Sequence, residues 1–246
     1  MIEDLFGSLR AEMERMVTAP RHFIADESFV VVEAKGDNVT KSGKPYRNTY
    51  CMIYRVDNGK VREVTEYMDT ALTSATLNAP KFPPKPLDAT TGGATATTEG
   101  SAMPASDSKR LLQHIFRELA NGNSRPYVEA MADDFSWIAQ GSTPWSGVYA
   151  GKKAVIEELF ASLRHEMEGR IKTIPRRIIA DGGTVVVEAR GDNMTKAGKP
   201  YRNTYCMVFR VTDGKLKECV EYMDTDLVTK VLAAPKFPPK PLPSRT

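Results

Sequence analysis

The sequence has few cysteines, no long apolar run and no large excess of charge of either sign. Its three cysteines, Cys51, Cys206 and Cys219, lack the spacing of a zinc site or a disulfide framework, which favours a reducing compartment. No apolar run approaches the roughly 18 residues that cross a bilayer. Lys and Arg number 34 against 31 Asp and Glu, with the signs interspersed, so the basic stripe typical of nucleic-acid binding is missing. We therefore expect a cytoplasmic protein without a membrane or nucleic-acid partner.

A long internal repeat dominates the 246 residues that are present. The segment Ile2–Arg10 recurs as Ile156–Arg164, and most positions from Pro20 to Leu87 match those from Pro175 to Leu242. This period is far longer than the roughly 20 to 50 residues of a solenoid unit. Each copy should therefore be a domain, and 41% hydrophobic residues suffice for a core.

The two copies are unequal in length. The stretch from Ser108 to Val155 precedes the second copy and has no counterpart ahead of Met1. We expect a partial domain over residues 1–87, a flexible Thr-, Ala- and Gly-rich linker over 88–107, and a complete domain over 108–246. A gene fragment, a wrongly placed start or a degenerate first copy would explain the difference, and swapping with another chain is the alternative. The first copy should expose apolar residues and be the less stable one.

Hydrophobic spacing predicts the order ααβαββββ for the complete copy. Helices are predicted over 111–119, 124–131 and 152–168, and strands over 135–139, 176–180, 184–190, 201–211 and 216–223. A further helix should begin near Thr225. Helices grouped ahead of an antiparallel meander indicate an α+β domain, in which a curved sheet wraps around helices and leaves an interior pocket.

Two segments of the second copy carry a family resemblance: ADDFSWIAQGSTPWSGVYAGKKAV at 132–155 and GKPYRNTYCMVFRVTDGKLKECVEYMDT at 198–225. They resemble the bacterial-type SnoaL-like, ketosteroid isomerase-related branch of the nuclear transport factor 2-like superfamily. The resemblance implies a cone-shaped α+β fold, usually dimeric, that binds a small apolar or polyketide-like molecule. Because members include isomerases, epoxide hydrolases, polyketide cyclases, dehydratases and non-catalytic modules, it leaves open whether this protein is an enzyme.

Steroid isomerisation by the family's usual mechanism is not expected. That mechanism uses a carboxylate base together with a tyrosine and a protonated Asp that stabilise the oxyanion. By alignment, the tyrosine position falls near Ile115, the base near Ile138 and the protonated Asp near Met207. No carboxylate lies at either carboxylate position.

Limonene-epoxide hydrolases offer a closer partial match. Their R-x-D motif corresponds to Arg190-Gly-Asp192, and their later Asp corresponds to Glu221. Strand alternation places Glu188, Arg190 and Asp192 on one face, and two carboxylates bridged by a guanidinium could act as acid and base. Gln140 could hold the water. The alternative is a structural ion pair at a strand end.

The remaining candidates concern binding. Trp137, Gln140, Trp145, Glu188 and Met207 are expected to line the pocket, although packing alone would also explain the two tryptophans. No metal site and no cofactor are expected. A non-catalytic dimerisation module is the other function left open, and the chain could form a homodimer or pair its own two copies as an intrachain pseudo-dimer.

Overall fold

The computed structural model describes residues 2–79 and 106–242, which we call the first and second repeat. The predicted linker lies outside the described residues up to position 105. The first repeat begins with a helix, continues with seven strands and ends with a short helix. Its elements are α1 (Ile2–Glu12), β1 (Met13–Arg15), β2 (Thr18–Asp26), β3 (Phe29–Gly36), β4 (Asn38–Thr40), β5 (Pro45–Tyr46), β6 (Thr49–Asp57), β7 (Lys60–Met68) and α2 (Thr70–Thr76).

The second repeat contains the same succession without a counterpart of the short strand β1, and two helices and two strands precede it. Its elements are α3 (Asp107–Ala120), α4 (Arg125–Ala130), β8 (Met131–Ala139), β9 (Gly147–Ala150), α5 (Lys152–Ala154), a π-helical segment (Val155–Phe160), α6 (Ala161–Glu166), β10 (Thr173–Asp181), β11 (Thr184–Gly191), β12 (Asn193–Met194), β13 (Pro200–Tyr201), β14 (Thr204–Thr212), β15 (Lys215–Met223) and α7 (Thr225–Val231). The α+β class and the order of the predicted helices and strands are confirmed.

Six strands of the second repeat form one sheet in the order β10-β11-β14-β15-β8-β9. All neighbours are antiparallel except β15 and β8, which are parallel. The strand β9 was not predicted, because its sequence follows a loop of Gly, Ser, Thr and Pro that masks the short β run. Register shifts between Pro175 and Arg177 and between Arg210 and Val211 bend the sheet, as β-bulges do.

The first helix of the second repeat shows why the concave side of this sheet becomes a core. The Ser106 hydroxyl caps α3 by accepting a hydrogen bond from the Lys109 amide at 3.2 Å. Gly122 follows the helix with a φ of 74°, a conformation that strongly favours glycine. The buried side of the helix packs against the sheet through Leu112, Ile115, Phe116 and Leu119.

The two repeats pack together through the other faces of their sheets. Their shared apolar cluster contains Ile24, Val31, Cys51 and Ile53 of the first repeat and Ile138, Ile179, Val186, Cys206, Val208, Val220 and Tyr222 of the second. The Sγ atoms of Cys51 and Cys206 lie 3.2 Å apart at the centre of this cluster. Opposed sheets that bury such a layer form a stable core.

Polar contacts between the repeats come in reciprocal pairs. The Tyr67 hydroxyl donates to Glu188 Oε1 at 2.9 Å, and the matching Tyr222 hydroxyl donates to Glu33 Oε1 at 2.9 Å. Likewise, the Thr70 hydroxyl donates to Asp224 Oδ1, and the Thr225 hydroxyl donates to Asp69 Oδ1, each at 2.5 Å. Because equivalent residues make equivalent bonds, the repeats are related by an approximate two-fold axis.

The helix-facing side of the first sheet is less well covered than its counterpart. Phe23 and Val64 lie on this side and are 65% and 52% exposed. In the second repeat, α3 and α4 pack on the equivalent face, and no described residue of the first repeat forms such helices. The expected exposure of apolar side chains is therefore confirmed for the described part of the first repeat.

Candidate functional site

A cavity of about 280 Å³ lies between the helices and the concave face of the second repeat's sheet. Phe160 stands edge-on to Trp137, with ring centroids 5.6 Å apart, and Tyr127 lies 6.0 Å from the same tryptophan ring. Most of the lining is aromatic or aliphatic, as in sites for small apolar molecules. Its principal residues are Phe116, Leu119, Tyr127, Trp137, Ala139, Trp145, Leu159, Phe160, Leu163, Met167, Tyr201, Tyr205, Met207, Glu221, Met223, Val228 and Leu232.

Glu221 is the one carboxyl group among the described residues that line this cavity. It lies on β15 opposite Met207 of β14, and its side chain is 9% exposed. The indole nitrogen Nε1 of Trp137 donates a hydrogen bond to Glu221 Oε2 at 3.1 Å. Within residues 2–79 and 106–242, the second oxygen, Oε1, has no hydrogen-bond partner.

Burial raises the pKa of Glu221 from 4.5 to about 7, and the bond from Trp137 opposes this rise. A carboxylate loses hydration in an apolar cavity, so its neutral form is favoured. A group with such a pKa is populated in both protonation states near neutral pH. Glu221 can therefore accept or donate a proton under ordinary conditions.

Two tyrosines add hydroxyl groups to the lining, which also includes Arg164, Arg170 and Asn193. Burial raises the pKa of Tyr201 to about 12 and that of Tyr205 well above its ordinary value. Both side chains are therefore neutral at physiological pH. The Asn203 amide donates to the Tyr201 hydroxyl at 3.2 Å, and it also donates to the Asp224 carbonyl at 3.0 Å. This pairing orients Tyr201 from outside the cavity.

The structure brings four of the predicted site residues together: Trp137, Trp145, Met207 and Glu221 line the same cavity. Trp145 is held in place because its Nε1 donates to the Ala233 carbonyl at 2.8 Å. Its position at the cavity follows from the loop that returns the chain to β9. The sequence predicts that Trp145 lines the pocket, with packing alone as the alternative.

The sequence predicts that Arg190 and Asp192 act together with Glu221, but the structure does not bring these three side chains to one site. Strand alternation turns Val187 and Ala189 of β11 towards the helices, so Arg190 lies on the opposite face of the sheet from Glu221. Asp192 follows the end of β11 and pairs with Arg202 at the surface, with 3.4 Å between the nitrogen and oxygen. The R-x-D arrangement is therefore not assembled in the cavity.

Glu188 and Gln140 were also expected at the pocket and lie elsewhere. Glu188 faces the first repeat and accepts a hydrogen bond from the Tyr67 hydroxyl there, while Arg177 of the neighbouring strand β10 pairs with it at 2.9 Å. Gln140 follows Ile138 by two positions on the same strand edge, and both face the first repeat. Alternation grouped Glu188 with Arg190 correctly but did not determine which face is concave, and it was not applied to Gln140.

Other lining residues could not be identified from their residue types alone. Tyr127, Phe160, Tyr201 and Tyr205 are buried aromatics in helices and strands, and nothing in their spacing separates a cavity wall from ordinary core. The hydrophobic face of the helix at 152–168 did indicate an inward-facing surface. The sequence contains no pattern specific to the cavity, because the residues that line the cavity are also residues of the hydrophobic core.

The first repeat contains an equivalent of Glu221 without its surroundings. Glu66 lies opposite Met52 on β7, but its side chain is exposed. The described part of the first repeat has no tryptophan and no counterpart of α3 and α4. The buried carboxyl site therefore belongs to the second repeat.

Comparison with known families agrees with this geometry. Residues 112–219 match the family described as the SnoaL-like domain. The second repeat carries a SnoaL-like domain. Its α+β architecture, with a curved sheet around helices and an interior cavity, is the fold that the sequence resemblance implied. No curated protein matched the chain.

Several solved structures resemble this SnoaL-like unit. An NTF2-like protein of unknown function from Burkholderia pseudomallei has 16% identity, covers 53% of this chain and all of its own, and gives a TM-score of 0.47. An NTF2-like protein from Burkholderia xenovorans has 20% identity over 54% of this chain and 100% of its own, with a TM-score of 0.44. An LEH-like epoxide hydrolase from M. tuberculosis has 21% identity over 51% of this chain and 89% of its own, with a TM-score of 0.42.

The described residues include neither a membrane-spanning helix nor a metal-binding group of side chains. None of their helices is both long and apolar enough to cross a membrane. Over the same residues, no three His, Cys, Asp or Glu side chains are grouped so that they could hold a metal ion.

Proposed function

We propose that the SnoaL-like domain binds a small apolar molecule, of the size of a short polyketide or a monocyclic terpene, and that Glu221 exchanges a proton with it. The observation that carries this proposal is a single buried carboxyl group in a cavity lined mainly by aromatic and aliphatic side chains. Such a wall excludes water and favours an apolar ligand. A carbon acid held against Glu221 would lose or gain its proton there.

The local contacts of Glu221 support a role in proton transfer. Trp137 holds Oε2, which fixes the carboxyl plane and leaves Oε1 towards the cavity. The pKa near 7 matches the proton affinity that general acid–base catalysis requires at neutral pH. Neutral Tyr201 and Tyr205 lie in the same lining and would donate hydrogen bonds to an enolate oxygen as it forms.

Epoxide hydrolysis through two carboxylates receives less support from this cavity. That chemistry needs one group to activate water and another to protonate the epoxide. Here Asp192 is paired with Arg202 at the surface, and Arg190 lies across the sheet from Glu221. Proton transfer by a single carboxyl group needs only Glu221, which the cavity contains.

The experiment begins with ligand binding to the full chain. Thermal shift against an enone steroid, a terpene epoxide, an aromatic polyketide and a fatty acid identifies the class, because a ligand of the native state raises the unfolding midpoint. The bound compound is then incubated in D₂O, and deuterium uptake at its acidic carbon is followed by NMR. Glu221→Gln should retain binding and lose the uptake, whereas the matched control Glu66→Gln should retain both. Deuterium uptake that persists in Glu221→Gln would refute the proton-transfer role. Failure of all four classes of compound to bind would refute the proposal that the cavity binds a small apolar molecule.

We also propose that the first repeat occupies the place of a second subunit, so that the chain is an intrachain pseudo-dimer. The reciprocal bonds of Tyr67 with Glu188 and Tyr222 with Glu33 support it. Light scattering during gel filtration should then give the monomer mass of 27.2 kDa. A mass that doubles as concentration rises would count against this arrangement and favour a homodimer.

A further inference from the structure

A second cavity, of about 260 Å³, lies between the two repeats. It opens at one end of the layer that joins the sheets. The first repeat supplies its charged side chains, and the second supplies Ile138, Gln140 and Tyr222. It is separate from the cavity around Glu221, because Ile138 and Trp137 are successive residues of β8 that face opposite sides of the sheet.

Three cationic side chains line this cavity: Arg21, Lys35 and Arg47. The guanidinium of Arg47 lies 3.1 Å from Asp37, in a pair that is largely exposed. Arg21 forms no ion pair or hydrogen bond with any residue of the described ranges. Its planar guanidinium is thus available for a carboxylate, which it can bind through two parallel hydrogen bonds.

The two carboxylates in the same lining already have partners. Glu33 accepts a hydrogen bond from the Tyr222 hydroxyl at 2.9 Å and lies 3.2 Å from His22 Nδ1. Asp69 accepts from the Thr225 hydroxyl and from the Leu72 amide, which it caps. Neutral donors orient these oxygens but leave both negative charges in place, so the lining sets three cations against two carboxylates.

The rest of the lining is apolar or neutral. Ala34, Leu72, Ile138 and Leu242 form its apolar part. The side-chain amide of Gln140 also lines it and has no hydrogen-bond partner among the described residues. A ligand here would place its apolar body against the aliphatic side chains and its charge against the arginines.

We propose that the cavity between the repeats binds a small organic carboxylate with an apolar body. Benzoate is the simplest probe of this chemistry. Arg21 and Arg47 would bind the carboxylate, and the Gln140 amide would donate to it from the second repeat. The site exists only where both repeats meet, so it gives the first repeat a role in ligand binding that the SnoaL-like cavity does not require.

The internal repeat provides a matched control for Arg21. Arg176 is its equivalent in the second repeat, is exposed, and is absent from the lining of this cavity. Burial raises the pKa of Tyr67, and the charge of nearby Arg176 opposes part of this rise. Arg21→Gln and Arg176→Gln therefore change charge and residue type identically at equivalent positions, and only the first removes a cation from the site.

The experiment titrates benzoate into the full chain and follows NMR shifts of the arginine Nε–H and glutamine side-chain amide groups. Arg21→Gln should weaken binding at least about fivefold, because it removes a charge-assisted pair. Gln140→Glu should weaken it as well, since it sets a negative charge opposite the carboxylate. Arg176→Gln should leave the affinity within about twofold, and raising the salt concentration should weaken binding to the unmodified chain. Unfolding midpoints of all variants check that each one folds.

Three outcomes would overturn the proposal. Equal affinity in Arg21→Gln and the unmodified chain would show that the guanidinium does not hold the carboxylate. Loss of benzoate binding in Glu221→Gln, with Arg21→Gln unaffected, would place benzoate in the other cavity. Binding of inorganic phosphate as tight as that of benzoate would show that the apolar body contributes nothing and that the site takes any small anion.

Discussion

Replacement of Glu221 by Gln should change the pH dependence of stability in a predictable direction. The folded-state pKa is about 7, against 4.5 as the ordinary value of a glutamate side chain. Below about pH 4 the carboxyl group is protonated in both states. Between pH 4.5 and about pH 7 the unfolded chain releases the proton while the folded chain retains it, so the free energy of unfolding falls as pH rises.

The magnitude follows from the same two pKa values. Each pH unit in this interval lowers the free energy of unfolding by about 1.4 kcal/mol, so the full interval lowers it by about 3 kcal/mol. Glutamine carries no titrating proton and can still accept the bond from Trp137. The variant should therefore become more stable than the unmodified chain above neutral pH, by up to about 3 kcal/mol.

Urea unfolding at several pH values, followed by tryptophan fluorescence, measures this difference directly. Both tryptophans, Trp137 and Trp145, lie in the second repeat beside Glu221 and report its unfolding. Other titrating groups cancel because they are the same in both chains. Partial desolvation raises the pKa of Glu66 as well, but less than that of Glu221, so the control Glu66→Gln should give a difference that varies less with pH. A pH-independent difference for Glu221→Gln, or an equal slope for Glu66→Gln, would refute the argument.

Three further predictions concern the contacts between the repeats. Ile53 is 1% exposed in the layer that joins the sheets, so Ile53→Ala should cost about 2 to 4 kcal/mol, whereas Val64→Ala, at a position that is 52% exposed, should cost under about 1 kcal/mol; urea unfolding separates them. Asp224→Ala removes both a helix cap and the bond from Thr70, and should lower the unfolding free energy by about 1 to 3 kcal/mol; an effect no larger than that of an exposed Asp→Ala change would contradict the reciprocal bonds. Cys51 and Cys206 are buried in the layer between the repeats, so a thiol reagent should modify neither in the native chain and both after denaturation, and rapid native labelling of either would show that the layer opens.

The fold could be predicted from the sequence because its signals are local. The helical spacing of Leu112, Ile115, Phe116 and Leu119 marks a buried stripe that the structure places on the sheet. The parallel pairing of β8 with β15 could not be foreseen, since it joins distant segments whose patterns do not encode register. The strand β9 was missed for a related reason: four residues carry too little periodicity.

The candidate site was predicted in part, and the error has a definite cause. Alternation correctly grouped Glu188 with Arg190, but it assigns residues to two faces without saying which one is concave. Here Glu188 pairs with Arg177 of its own repeat and accepts from Tyr67 of the first repeat, and Glu221 faces the helices. Only the helices decide between the faces, and their docking is a long-range property. A motif such as R-x-D therefore carries catalytic meaning only when both residues reach the same cavity.

The unequal repeats can be understood from the two faces of one sheet. In each copy, one face bears Cys, Val and Ile residues that pack against the other copy, and this face is retained in both. The other face forms a cavity only where α3, α4 and β8 complete it, as they do in the second repeat. In the described part of the first repeat the packing face is retained without such a cavity. A copy in this form still buries the second repeat's outer sheet face and supplies Arg21, Lys35 and Arg47 to the cavity between them. Neither the burial of that sheet face nor the supply of these cations depends on Glu66. Selection for either of them would therefore preserve the segment from β2 to α2 without a buried carboxyl site.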